Sequence, residues 1–340
     1  MKSLMSKGVV LLAAATLVLL GSGASAQAGG IVSGAEPVAT VEISKSVDDM
    51  YSERGPWEVT KQAGFGCCDS SGHKFDVWYP TDLGAHGDRH PIITWGNGTF
   101  AHPFQYDYLL SHLASWGFVV IAPDNTNTGS GQEMLQAVDF LKGQDNDPSS
   151  VFYQSLDTDN VGAMGHSQGA VGTLNAAISA GGAIKTAVPI ELPGQFMCAL
   201  NTPQPDPAMV VCTNPQALTT GSVLYINGSA SPISPSTQPL PWEQIGVQSM
   251  QGYFDATPNS VQKAKATLIG PNHNDIQGQP GCPPNDLGCV NGVQGFLGVL
   301  TAWNMATLQG DEHAQGAFVS GTGSMFGLPA WINQASNIAG

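Results

Sequence analysis

Residues 159–177 read Asp-Asn-Val-Gly-Ala-Met-Gly-His-Ser-Gln-Gly-Ala-Val-Gly-Thr-Leu-Asn-Ala-Ala. The centre is a G-x-S-x-G motif, Gly165-His166-Ser167-Gln168-Gly169. An apolar segment precedes it and a run of small residues, Ala170 to Ala177, follows. That order predicts a strand, a sharp turn and a helix, with Ser167 at the turn. Such a turn lifts the serine hydroxyl above a sheet and aims the first amides of the helix at a reacting carbonyl oxygen. Glycines on both sides leave room for the strained backbone.

Working outward, the same alternation repeats. Trp57–Thr60 and Lys74–Pro80 read as two early strands joined by a turn-rich segment. His90–Thr94 reads as a short buried strand that runs into Trp95-Gly96-Asn97-Gly98-Thr99. An amphipathic helix is expected over Tyr106–Trp116, stopped by Gly117. Phe118–Pro123 is a continuous apolar run, as a parallel strand covered on both faces requires. A helix over Glu133–Lys142 leads to the strand that ends at the serine. Further strands are expected at Lys185–Glu191, Val223–Asn227 and Ala264–Ile269, and a last helix at Val293–Leu308. Strands alternating with helices predict an α/β domain with a doubly wound, mostly parallel sheet and helices on both faces. Two stretches break the rhythm, Ala199–Thr220 and Ser231–Pro258, and are expected to wall a site.

The chain opens with a basic start (Lys2, Lys7), an apolar run from Gly8 to Leu20, and Ala24-Ser25-Ala26. This pattern predicts residues 1–26 as a signal peptide cleaved after Ala26, with residues 27–340 as one catalytic domain. Loss of Lys2 and Lys7 lowers the basic count from 11 to 9 against 26 acidic residues, a net charge of −17. Such a surface excludes nucleic acid as a partner, and no later run suggests membrane insertion. Secretion, to the periplasm or the exterior, is expected, as a monomer. Six cysteines in an exported chain point to disulfides and not to a metal. Proximity suggests Cys282 with Cys289 and Cys198 with Cys212; adjacent Cys67 and Cys68 form a vicinal bridge or stay as thiols.

A reactive serine needs a base, an orienting acid and oxyanion donors. In folds with such a turn the chain order runs serine, acid, histidine. His273, in Gly270-Pro271-Asn272-His273-Asn274-Asp275, follows the strand at Ala264–Ile269 and fits that order. His73, His86, His90, His102 and His112 precede Ser167 and break that order, and His313 lies in a charged, exposed stretch. His166 adjoins the nucleophile and is expected to pack or line the cleft as a substrate-side residue. No carboxylate follows the Val223–Asn227 strand, where Gly228-Ser229-Ala230-Ser231 stands. Glu191 is a lone carboxylate ending an apolar strand, a costly position without a partner, and is expected to be the acid. Asp275 is too near His273 to reach round its ring, and Asp255 lies in a loop. Gln168 is expected to give one oxyanion amide, and Asn97 or Gly98 the other, with Asn97 preferred.

These residues together resemble the secreted α/β-hydrolase esterases that include cutinase-like polyester hydrolases, chlorophyllases and platelet-activating-factor acetylhydrolases. The resemblance is carried by the loop at Gly96, the Leu113–Ile121 helix-to-strand run, the turn at Ser167 and the Asn272-His273 turn. The closing Thr301-Ala302-Trp303 helix, Gln309-Gly310-Asp311 and Phe318 also resemble the end of poly(ethylene terephthalate) hydrolases. The polyester branch places its aspartate where Ser231 stands, and Leu192-Pro193 stands in place of its aromatic clamp. The chlorophyllase and acetylhydrolase branches place the acid at the end of the earlier strand, which corresponds to Glu191. Ile233 matches an apolar cleft position of the polyester enzymes.

The resemblance implies an α/β-hydrolase fold and a serine carboxylic ester hydrolase acting on apolar esters, among them polyesters, with no metal and no organic cofactor. Two other functions compete: a serine peptidase or amidase on the same fold, and a non-catalytic ligand-binding relative.

Overall fold

The computed structural model describes residues 45–84, 87–197, 212–279, 282 and 289–340. The predicted leader, Cys198 and most of the Ala199–Thr220 stretch lie outside the described residues. The rest forms one nine-stranded sheet in the order β1-β2-β4-β3-β5-β6-β7-β8-β9. The strands are β1 Val59–Cys67, β2 Lys74–Pro80, β3 His90–Gly96, β4 Val119–Pro123 and β5 Leu156–His166. They continue with β6 Ile184–Ile190, β7 Ser222–Gly228, β8 Gln262–Leu268 and β9 Trp331–Ser336. Strands β3 to β8 pair in parallel, while β1, β2 and β9 join antiparallel at the two edges.

The central strands are apolar at consecutive positions because each side chain finds a helix layer. Ile93, Trp95, Val120 and Ala122 face one core, shared with α1 (Val47–Tyr51), α2 (Asp107–Ser115) and the Leu297–Asn304 helix. Ile92, Val119 and Ile121 face the other, shared with α3 (Gln132–Asp145) and α4 (Gln168–Ser179). Residues i and i+1 of a strand point to opposite faces, so an unbroken apolar run is what a two-sided sheet demands. The doubly wound α/β-hydrolase architecture expected from the sequence is present.

Two expectations are corrected. The Ser231–Pro258 stretch is not bare loop but carries short helices at Trp242–Ile245 and Met250–Ala256. The Val293–Leu308 helix is not the last element, since Glu312–Ala317 and the edge strand β9 follow. In β9 only Trp331 is fully buried, so its sequence lacks the alternation that marks a half-buried strand.

Strand β8 also begins earlier than expected, at Gln262, because two lysines are buried in it. Lys263 and Lys265 are each 3% exposed. Lys263 Nζ donates to Phe254 O at 2.7 Å and Thr257 O at 2.5 Å, carbonyls at the end of the Met250–Ala256 helix. Lys265 Nζ donates to Asn333 O on β9. Burial lowers the Lys265 ammonium from 10.5 to about 8. Between those values the unfolded chain holds a proton that the folded chain has released, so this group makes stability rise with pH. Lys265→Met is therefore expected to stabilise at pH 7 by roughly 2 kcal/mol, after allowing for the lost hydrogen bond. Urea denaturation should show the gain shrinking as pH rises from about 8 to 10.5.

Candidate active site

Strand β5 ends at His166 and α4 begins at Gln168, so Ser167 alone makes the turn. Its backbone lies at φ 56° and ψ −117°, a left-handed region costly for any residue with a Cβ. The turn is held by Ser167 N–H donating to Ile190 O at 3.0 Å. Close packing beneath it requires the glycines. A Cβ on Gly169 would lie 2.1 Å from Gly96 O, and one on Gly165 would lie 2.4 Å from Gly169 O. Helix α4 thus rests backbone on backbone against β3 and β5.

His273 sits on the loop after β8, 15% exposed, and its ring centroid is 4.8 Å from that of His166. The loop is clamped by Asp275, one carboxylate collecting four backbone amides. Asn272 N–H donates to it at 2.7 Å, Val290 at 2.5 Å, Asn291 at 2.6 Å and Gly292 at 3.0 Å. Burial alone would raise its pKa, but these donors hold it below the usual carboxylate range. The Cys282–Cys289 disulfide, expected from proximity, lies beside this clamp. Asp275 and the two sulfurs have metal-like spacing, but the sulfurs are bonded to each other and the carboxylate is filled by amides. Cys67 and Cys68 are bridged as neighbours, and Cys212 is disulfide-bonded; Cys198, its expected partner, lies outside the described residues.

Glu191 follows the end of β6 at φ 54°, with a fully buried carboxylate. Its Oε2 lies 3.4 Å from His273 Nδ1, and its Oε1 accepts from Gly228 N–H at 2.5 Å. Burial raises its pKa, an effect that His273, Ser231 and the Gly228 amide partly offset. Two hydroxyls share the approach to His273 Nδ1, Ser231 Oγ at 3.3 Å and Ser234 Oγ at 3.5 Å. Ser234 Oγ also donates to Glu191 O at 2.7 Å. The segments after β6 and after β7 therefore converge on one imidazole nitrogen. The close approach of the β7 end to the loop that carries His273 depends on Gly228, where a Cβ would meet Pro271 O at 2.2 Å.

Gln168 is the first residue of α4, 7% exposed. In the loop after β3, Asn97 is fully buried, its side-chain amide donating to Pro123 O at 2.8 Å and Asn125 O at 3.0 Å. Gly98 N–H donates to Tyr106 Oη at 2.9 Å, so this alternative oxyanion donor is already engaged. Phe100 N–H donates to Thr126 O, which leaves the main-chain amides of Asn97 and Thr99 unclaimed by other described residues in that stretch. His166 is 2% exposed with both ring nitrogens bonded, to Tyr106 Oη at 2.9 Å and His273 O at 2.8 Å. The ring is thus packed in the interior, one of the two placements expected of it. Ile233 is partly exposed, and its carbonyl accepts from Gly194 N–H at 3.0 Å.

Tyr106, Ser231 and Ser234 were not singled out as site residues by sequence pattern. Tyr106 reads as an ordinary aromatic of an amphipathic helix start, and the two serines sit in a Pro/Ser-rich stretch that has no periodic signal.

Residues 39–217 match a family model described as PET hydrolase-like, which is more than half of the chain. The match includes β1 to β6, Ser167 and Glu191, and stops before His273. A bis(hydroxyethyl) terephthalate hydrolase of Streptomyces coelicolor (strain ATCC BAA-471 / A3(2) / M145) is 32% identical over 133 residues. That alignment covers 37% of this chain and 40% of the relative.

Proposed function

The chain belongs to the PET hydrolase-like family, and from that premise we propose that it is an exported serine ester hydrolase acting on apolar esters, polyesters included. The observation that carries this reading is the meeting of three strand ends. Ser167, Glu191 and the His273 loop follow the carboxyl ends of parallel strands β5, β6 and β8, with Glu191 Oε2 3.4 Å from His273 Nδ1 and the His273 ring 4.8 Å from that of His166, the neighbour of Ser167.

Ser167 Oγ attacks the ester carbonyl while its proton passes to His273 Nε2. Glu191 faces the Nδ1–H of that ring, fixes the tautomer and stabilises the imidazolium. The carbonyl oxygen becomes an oxyanion held by backbone amides, with Gln168 on the helix side and Asn97 on the loop side. Collapse returns the proton from Nε2 to the leaving alkoxide, which departs as the alcohol. Water repeats the sequence on the acyl-serine and releases the acid. Neither a metal nor an organic cofactor enters these steps.

Apolar substrates are supported by Phe100 and Phe104, 73% and 64% exposed just beyond the oxyanion loop. Terephthalate esters are supported by the name of the S. coelicolor relative. Export is supported by the leader pattern and by disulfides, which persist in oxidising compartments. Among the described residues no helix is long and apolar enough to cross a membrane.

The test compares a soluble aryl ester with the matching anilide, then a polyester film assayed for soluble acid and alcohol. Ester turnover at least ~100-fold above the anilide, with product from the film, is expected. Preference for the anilide would replace the esterase with an amidase. Ester turnover without film products would remove the polyester assignment alone.

A further inference from the structure

We infer that Tyr106 and His166 form a one-way hydrogen-bonded relay that holds the oxyanion loop, the nucleophile turn and the histidine loop in a single register, and that this register sets turnover. The inference rests on the serine-esterase reading above.

The direction of every bond in the relay follows from its ends. His273 O can only accept, so His166 Nε2, 2.8 Å away, carries a hydrogen. Burial, with His273 next to it, drives the His166 pKa well down, so the ring is neutral. A neutral ring with Nε2–H has a bare Nδ1, which must accept. Tyr106 Oη at 2.9 Å supplies that hydrogen. The phenol oxygen then accepts twice, from Gly98 N–H at 2.9 Å and from Gln277 Nε2–H at 3.2 Å. A backbone amide fixes one end and a backbone carbonyl the other, so reversing the middle would leave two buried groups unpaired.

Packing leaves the relay little freedom to move. Tyr106 is 1% exposed, with its ring 4.8 Å from that of Trp95 and 5.7 Å from that of His166. A Cβ on Gly98 would lie 2.8 Å from His166 Nδ1 and 3.0 Å from Tyr106 Oη. Gly98 is thus needed for clearance, and the relay fills the space a side chain would take. The loop that offers oxyanion amides and the loop that carries the base have no shared secondary structure; Tyr106 and His166 join them through the nucleophile turn. Both are positioning residues, because neither reaches the reacting atoms.

Tyr106→Phe removes only the hydroxyl. It is expected to lower kcat for a soluble aryl ester about 30- to 100-fold while KM moves by less than about threefold, since misplacement of the machinery acts on the transition state. His166→Gln can still donate to His273 O and accept from Tyr106, and should keep kcat within about fivefold of the parent. His166→Leu can do neither and should match Tyr106→Phe. The double variant Tyr106→Phe/His166→Leu should be no worse than either single change, because one chain is cut only once.

A tautomer measurement stands apart from activity. Imidazole ¹⁵N shifts of His166, recorded in the inactive Ser167→Ala background, should report the neutral Nε2–H form, and the added Tyr106→Phe change should disturb it. Parent-like kcat in Tyr106→Phe, equal losses in His166→Gln and His166→Leu, or an Nδ1–H ring would each overturn the relay. Should Tyr106→Phe fail to fold, the paired His166 variants decide. Persisting ester hydrolysis in Ser167→Ala would instead sink the serine mechanism, and with it the claim on turnover, while the ¹⁵N result would still judge the hydrogen bonds.

Discussion

Ser167→Ala is expected to lower kcat for a soluble aryl ester by roughly 10⁴- to 10⁶-fold, with KM little changed. The size follows from the loss of the covalent path: without Oγ the base has no proton to take, and only direct attack by water on the bound ester remains. Oxyanion amides and binding would still give some rate above the uncatalysed reaction. The fold should be untouched, since the turn is held by Ser167 N–H to Ile190 O and the φ 56° backbone is as strained for alanine as for serine. Steady-state rates beside thermal melting would check both parts. Full activity in a folded Ser167→Ala protein would end the serine mechanism.

Glu191→Gln is the second large effect, with kcat expected to fall by about 10³- to 10⁴-fold. The amide keeps an oxygen for Gly228 N–H, now 2.5 Å from Oε1, so the local backbone has no reason to move. What changes is the partner of His273 Nδ1: a carboxylate 3.4 Å away is exchanged for a neutral group that no longer stabilises the imidazolium. Stability should move the other way. The Glu191 carboxyl titrates above its ordinary 4.5 in the folded protein, chiefly through burial. Its contribution to stability is therefore complete below 4.5 and is lost as pH rises through the raised folded value. Glu191→Gln has no such loss, so it should match the parent in acid and become the more stable protein towards neutral pH. A residue needed only for structure would show the reverse, with activity and stability falling together.

Ser231 offers a rescue. Its Oγ stands 3.3 Å from the same nitrogen, so Ser231→Asp in the Glu191→Gln background would return a carboxylate from the neighbouring strand end. Recovery of about tenfold or more in kcat is expected, because the orienting function depends on a charge at Nδ1 and not on the strand that delivers it.

The same pair of residues marks the limit of what could be read from the chain alone. A carboxylate at the end of an apolar strand is visible as an anomaly, since burying a charge demands a partner. The partner's identity follows only from chain order. That Ser234 also reaches His273 was invisible, because a Pro/Ser-rich stretch has no period to fix where its side chains point, and Ser231 was marked only by the resemblance to the polyester branch. The oxyanion loop was legible as glycine-rich, but not which of its amides is occupied. Gly98 was an open alternative until Tyr106 Oη, eight residues on, was seen to accept from it.

Local pattern thus determined the fold class: unbroken apolar strands, helices between them and the Gly165–Gly169 turn are dictated by covalent geometry and by burial of two sheet faces. It also singled out Ser167 as the candidate nucleophile, because the strain at this turn is written in the glycines beside it. The buried lysines of β8, the edge strand β9 and the partners of His166 were decided only by tertiary structure. Each is a polar or weakly patterned group whose environment comes from residues far away in the chain: carbonyls at a helix end, a sheet edge seeking a strand, a phenol across a loop. Apolar burial depends on the type of residue and leaves a period in the sequence, whereas the pairing of polar groups depends on distance and direction between segments, which no local period encodes.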